Sequence, residues 1–165
     1  PMTHPWKFCT LLLLALTLIT GCSGDNALGG EPQALEKETL TIHTRAGEDL
    51  LFQVEIADDS GEQRTGMMYR TAMDEDSGML FLFPDDDFRA FWMKDTLIPL
   101  DMLFLTADGR IVHIHPMARP QDYTRITYAM PVRAVLELKG GMAGQLGIAE
   151  GDRVLHPAFR NVLAP

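Results

Sequence analysis

From Thr39 onward, turn signals divide the chain into short apolar stretches, none long enough for a helix of ordinary length. Apolar and polar residues alternate over Leu40-Thr41-Ile42-His43-Thr44, and again at Leu50, Phe52, Val54 and Ile56. Side chains two apart share a strand face, so each stretch predicts a strand with one buried side, joined by a turn at Arg45–Glu48. Ser60 and Gln63 have capping-box spacing and predict a short helix over 61–69. Met79-Leu80-Phe81-Leu82-Phe83 is continuously apolar, as a fully buried strand requires, until Pro84-Asp85-Asp86-Asp87 interrupts it. Phe88–Lys94 predicts another strand. Met102–Thr106 and Arg110–His115 flank Ala107-Asp108-Gly109, whose Asp-Gly pair favours a hairpin. Residues 116–131 hold three prolines and predict a long ordered loop. Val132–Leu138 and Asp152–His156 predict strands, with a short helix or turn over Gly140–Gly147. Seven or eight short strands with one or two short helices make a mainly β domain, a single compact β-sandwich or barrel over residues 39–165.

The N-terminus sets the expected location. Lys7 precedes an apolar run, Phe8–Ile19, that is short for a membrane span of about 20 residues but suits the core of an export signal. Leu18-Ile19-Thr20-Gly21-Cys22 resembles the bacterial lipobox, in which cleavage precedes a cysteine that carries diacylglycerol. Residues 1–21 are then a lipoprotein signal peptide, and Cys22 is the acylated first residue of the mature chain. Ser23 after the cysteine implies, by the same resemblance, outer-membrane sorting with the domain facing the periplasm. Residues 22–38 are poor in aromatic and β-branched residues and read as a flexible tether. Cys9 falls within the signal, so no thiol remains for a disulfide, a metal or nucleophilic catalysis.

The order Arg64-x-Gly66-Met67-Met68-x-Arg70, Gly78-Met79-Leu80-Phe81 and Phe91-Trp92-Met93-Lys94-Asp95-Thr96, followed by Ile98-Pro99-Leu100-Asp101, Leu136-Glu137 and Gly151-Asp152, resembles domain-of-unknown-function family 192 from Thr39 to His156. The resemblance implies a mainly β single domain, often exported, and no established reaction. Family members usually carry Asn where this chain has Asp95.

A formal net charge of -9 disfavours nucleic acid as a partner, because phosphate binding needs a basic face. The strongest polar cluster is Trp92, Lys94, Asp95, Thr96 and Asp101. An aromatic plate two residues from a cation can hold a sugar ring or an acidic group, or the same residues can close over one another as a turn. Arg64 and Arg70 can fork a ligand carboxylate or tie the helix to the sheet through Glu137. No metal site or cofactor is expected, since His113 and His115 lack a neighbouring acid and the methionines are dispersed among apolar residues. Catalytic motifs are absent, which points to a non-catalytic envelope lipoprotein binding a polar small molecule, a glycan or a protein partner. Two alternatives remain: a hydrolase using Asp101 and Glu137 beside Trp92, and a Met/His copper-binding protein.

Overall fold

A computed structural model describes residues 29–161. The predicted signal peptide, Cys22 and the first part of the tether lie outside the described residues. β1 (Lys37–His43) and β2 (Asp49–Ala57) form the expected antiparallel pair, with Leu40 opposite Phe52. β2 then runs parallel to β3 (Ser77–Asp87), so their connection is a crossover, and it carries α1 (Ser60–Thr65). After β4 (Ala90–Phe91) come β5 (Leu100–Leu105) and β6 (Ile111–Ala118), the hairpin predicted at Asp108-Gly109; Gly109 has φ 81°. β7 (Ile126–Thr127) pairs only with β4. β8 (Val132–Lys139), α2 (Met142–Gln145) and β9 (Arg153–Leu155) complete the domain.

The main sheet has the order β6-β5-β8-β3-β2-β1-β9 and curls into a half-barrel. Register shifts in the β3–β8 and β5–β6 pairings supply local bends of the kind that curl a sheet. The two edges meet at one end. Arg110 bridges Arg153, Ile111 N donates to Asp152 O at 2.9 Å, and Val154 N donates to Gly109 O at 2.7 Å. β9 is thereby bonded to β1 on one side and to the start of β6 on the other.

Both faces of the central strands are covered, which is why β5 is buried along its whole length. Leu80, Leu103 and Leu136 face one core with Leu40, Ile42, Phe52 and Val54. Met79, Phe81, Met102, Phe104 and Val135 face the other, with Met67 and Met93. Four methionines thus share one core, where their flexible side chains fill space between aromatic rings.

Four local expectations are corrected. The helix cap is Asp59, whose side chain accepts from Gly61 N and Glu62 N while Glu62 reaches back to the Asp59 N–H. Gln63 is instead drawn inward, its amide donating to Ala57 O at 3.3 Å and Leu82 O at 2.7 Å. The helix stops at Thr65 because Gly66 turns to φ 45°, ψ -128°, with Phe81 against its Cα. Only Ala90–Phe91 of the predicted strand 88–94 is strand, and Trp92–Thr96 is a turn. The end of the predicted tether is docked. Gln33 donates to Glu62 O and Gly66 O, Leu35 N donates to Glu55 Oε2 at 2.8 Å, and β1 already begins at Lys37.

Candidate functional site

The turn after β4 places the predicted polar cluster. Met93 is fully buried, and its N–H donates to Asp122 O at 2.9 Å, which fastens the turn to the proline-containing loop after β6. Its neighbours Trp92 and Lys94 both line the same groove, and Lys94 Nζ sits 5.6 Å from the Trp92 ring centroid. The aromatic plate and the cation therefore meet as expected, although through a turn rather than along a strand. Thr96 is buried, donating from Oγ1 to Lys94 O, while its backbone O accepts from Gln121 N at 3.0 Å. Asp95 adopts φ 54°, a region where Asn and Asp are the commonest non-glycine residues. Its backbone O accepts from Tyr69 N at 2.8 Å and its carboxyl from Tyr69 Oη at 3.4 Å. Tyr69 is itself left-handed, at φ 66°. Two such residues bound to each other are held by their surroundings, and conformations of this kind concentrate at functional sites.

The groove beside them has a volume of about 960 Å³, within the range of small-molecule sites. Phe81, Phe83, Phe91 and Met68 line it, with Phe81 and Phe91 packed edge to face at 5.1 Å. Phe88, Trp92 and Tyr123 stand at the same groove and are 65%, 49% and 60% exposed. Trp92 and Tyr123 approach edge to face with centroids 6.4 Å apart. Large exposed aromatics so close together mark an interaction surface. Four cations complete the lining, Arg64, Arg89, Lys94 and Arg125, and no acid among the described residues lines the groove. Arg89 is engaged, 2.6 Å from Asp85 and 4.1 Å over the Phe83 ring. Arg64, Lys94 and Arg125 have no ion-pair partner among the described residues. In a chain of net charge -9, this local excess of positive charge is the site's main electrostatic feature.

Asp101, Glu137 and Arg70 lie elsewhere. Asp101 stands opposite Leu138 and Glu137 opposite Met102, so their side chains leave opposite faces of the sheet. A shared substrate between them is geometrically impossible, and neither lines the Trp92 groove. Asp101 and Glu137 therefore cannot work as a carboxylate pair. Asp101 is fully buried and accepts from Met117 N at 2.8 Å, Gly141 N at 2.9 Å and Ala143 N at 2.8 Å. Its task is to hold the end of β6 and the start of α2 against β5.

Arg70 pairs with Glu55, not with Glu137. Its two terminal nitrogens reach the Glu55 oxygens at 2.6 and 2.7 Å, and Nη2 also donates to Gln33 O at 2.8 Å. Burial pushes the Glu55 pKa upward, but the Arg70 fork and the Leu35 N–H outweigh it, leaving a net lowering. Arg64 and Arg70 therefore separate into a groove cation and a structural one. Replacing Arg70 by Met strands a buried acid, and unfolding measured in urea should show a loss of about 3 kcal/mol. A change below about 0.5 kcal/mol, the scatter of surface substitutions, would contradict this role.

Glu137 is buried with one oxygen lacking a hydrogen-bond partner among the described residues, and burial raises its pKa to about 8 despite the field of Arg70. His113 stacks on Tyr128 at 5.2 Å and lies 3.2 Å from Glu150, so it is occupied by structure. No group of three or more His, Cys, Asp or Glu able to hold a metal occurs among the described residues.

Sequence reading missed Phe88, Arg89, Tyr123 and Arg125 as site residues and Glu55 as the partner of Arg70. Tyr123 and Arg125 come from the proline-containing loop, and an aromatic and a cation two apart were the available signal.

A family model described as "Uncharacterized ACR" (DUF192) matches residues 41–156. A crystal structure of a candidate transcription regulator from Sinorhizobium meliloti superposes with a TM-score of 0.75 at 40% identity, covering 78% of this chain and 99% of that one. A protein of unknown function from Novosphingobium aromaticivorans superposes with a TM-score of 0.71 at 37% identity, covering 82% of this chain and 100% of that one. No curated protein matches the chain.

Proposed function

We propose a binding role for this chain, which belongs to the DUF192 family: a non-catalytic envelope module that holds an anionic ligand or partner in the Trp92 groove. One observation carries the reading. Three cations without ion-pair partners among the described residues surround exposed aromatic rings in a groove with no acidic lining, on an otherwise acidic protein. Oriented cations attract and position an anion, while the rings remove apolar surface from water. Among the described residues the cluster holds no nucleophile paired with a base, so binding, not turnover, is the role it supports. A nucleic-acid partner is disfavoured, because a phosphate backbone needs an extended basic face and the chain carries a net charge of -9.

The lipobox resemblance at Cys22 supports export and anchoring at the outer membrane. Cys22→Ser should move the protein from the membrane fraction to the soluble fraction, and unchanged membrane retention would remove the anchor from the proposal. For the groove, calorimetric titration with dodecanoate, oligogalacturonate and an acidic peptide should detect binding of at least one. The double substitution Lys94→Glu, Arg125→Glu should weaken that binding at least about tenfold, since two cations near the ligand become anions. Equal binding by the native and reversed proteins, or no binding to any of the three, rejects the groove as the site.

A further inference from the structure

Resting on the groove as the binding site, we infer that its ligand is a free single-chain amphiphile, an acyl chain ending in an anionic head group. The chemistry of the wall separates this class from a sugar. A glycan needs several neutral hydrogen-bonding side chains matched to its hydroxyls, because each one buried without a partner weakens binding. The groove offers few of them, against four cations and a wall of rings. The Gln63 NH2 is spent on Ala57 O and Leu82 O, which leaves the hydroxyls of Ser60 and Tyr123 and the indole N–H of Trp92 as the neutral donors among the described lining residues. The rest of the lining is ring or thioether surface on one hand and guanidinium or ammonium on the other.

A ligand that satisfies both must have an apolar body and a charged head. The groove, about 960 Å³, leaves room for an acyl chain to extend along Phe83, Phe91 and Met68. Its head then reaches Lys94 or Arg125, which are not engaged by any acid among the described residues. A bilayer surface is a poorer occupant, because the feature is concave and Phe81 in its lining is buried.

The test uses the full chain and a series of octanoate, decanoate and dodecanoate below their micellar limits. Affinity should rise about two- to fourfold for each added methylene, as apolar burial requires. Decanol, which lacks the charge, should bind at least about tenfold more weakly than decanoate. Arg125→Gln, a mild change at an exposed position, should narrow the gap between decanoate and decanol while leaving the chain-length increment in place. Oligogalacturonate and phosphatidylglycerol vesicles serve as the competing ligands. Affinity independent of chain length, or vesicle binding without monomer binding, overturns the inference. Binding of oligogalacturonate alone also overturns it yet leaves an anion-binding groove standing. If none of these anions binds, the broader reading falls as well.

Discussion

Replacing Asp101 by alanine should destabilise the protein by about 4–6 kcal/mol, because three buried backbone N–H groups lose their acceptor at once and each costs about 1–3 kcal/mol unpaired. The donors belong to Met117, Gly141 and Ala143, so one side chain joins two separate segments to β5. A domain of this size has a stability of about 5–15 kcal/mol, so the variant should approach global unfolding. Asp101→Asn tests the account more finely. Its amide oxygen can replace one acceptor, but its NH2 opposes an N–H donor, so the loss should be smaller than for alanine yet still about 2–3 kcal/mol. Urea denaturation reads both variants. An alanine variant within about 1 kcal/mol of native, an ordinary surface effect, would show that Asp101 does not carry this junction.

The second large effect depends on pH. Glu137 has an ordinary value of 4.5 and a folded value near 8, raised by burial and only partly opposed by Arg70. Below 4.5 both the folded and unfolded chains hold its proton, and its contribution to stability is complete. Between 4.5 and about 8 the unfolded chain releases the proton while the folded chain retains it. Stability attributable to this group should therefore fall as pH rises through that window, by about 1.4 kcal/mol per unit, and level off above it. Glu137→Gln, which keeps the shape and cannot ionise, should flatten that slope and be the more stable protein at pH ~9. Denaturation at several pH values from about 5 to 9 compares the two proteins. Parallel curves for the native chain and the Glu137→Gln variant would mean that Glu137 does not stay protonated on folding.

The strands were legible where residue spacing alone decides them. The alternation at Leu40–Thr44 gives β1, and the Asp108-Gly109 pair gives the β5–β6 hairpin because a left-handed glycine is a local requirement. The Glu55–Arg70 pair was hidden for a physical reason. The alternation of Phe52, Val54 and Ile56 assigns Glu55 to the solvent face, but β2 lies inside a sheet covered on both sides, and Glu55 is buried with its neighbour Val54. The cap was ambiguous because Asp59–Glu62 and Ser60–Gln63 share one spacing. Tertiary contacts decided it, since Gln63 is needed at Leu82 O. The site was half legible. Trp92 and Lys94 are close in sequence and remain close in space, whereas Tyr123 and Arg125 reach the groove only because Met93 and Thr96 fasten a distant loop to it. Asp101 and Glu137 looked like partners until strand register turned them apart.

Bonding of β9 on both flanks also bears on how such a domain avoids sticking to its own kind. Exposed sheet margins invite neighbouring molecules to add strands, and here the Thr41–His43 end of the β1 margin is occupied by β9, which reaches across to Gly109 and Ile111. Three residues, Arg153–Leu155, thus act as a stitch that seals a seam otherwise open to intermolecular growth. Trimming the chain before this stitch would bare Thr41–His43 as a fresh template and loosen the closure at Gly109–Ile111, making the module more prone to polymerise.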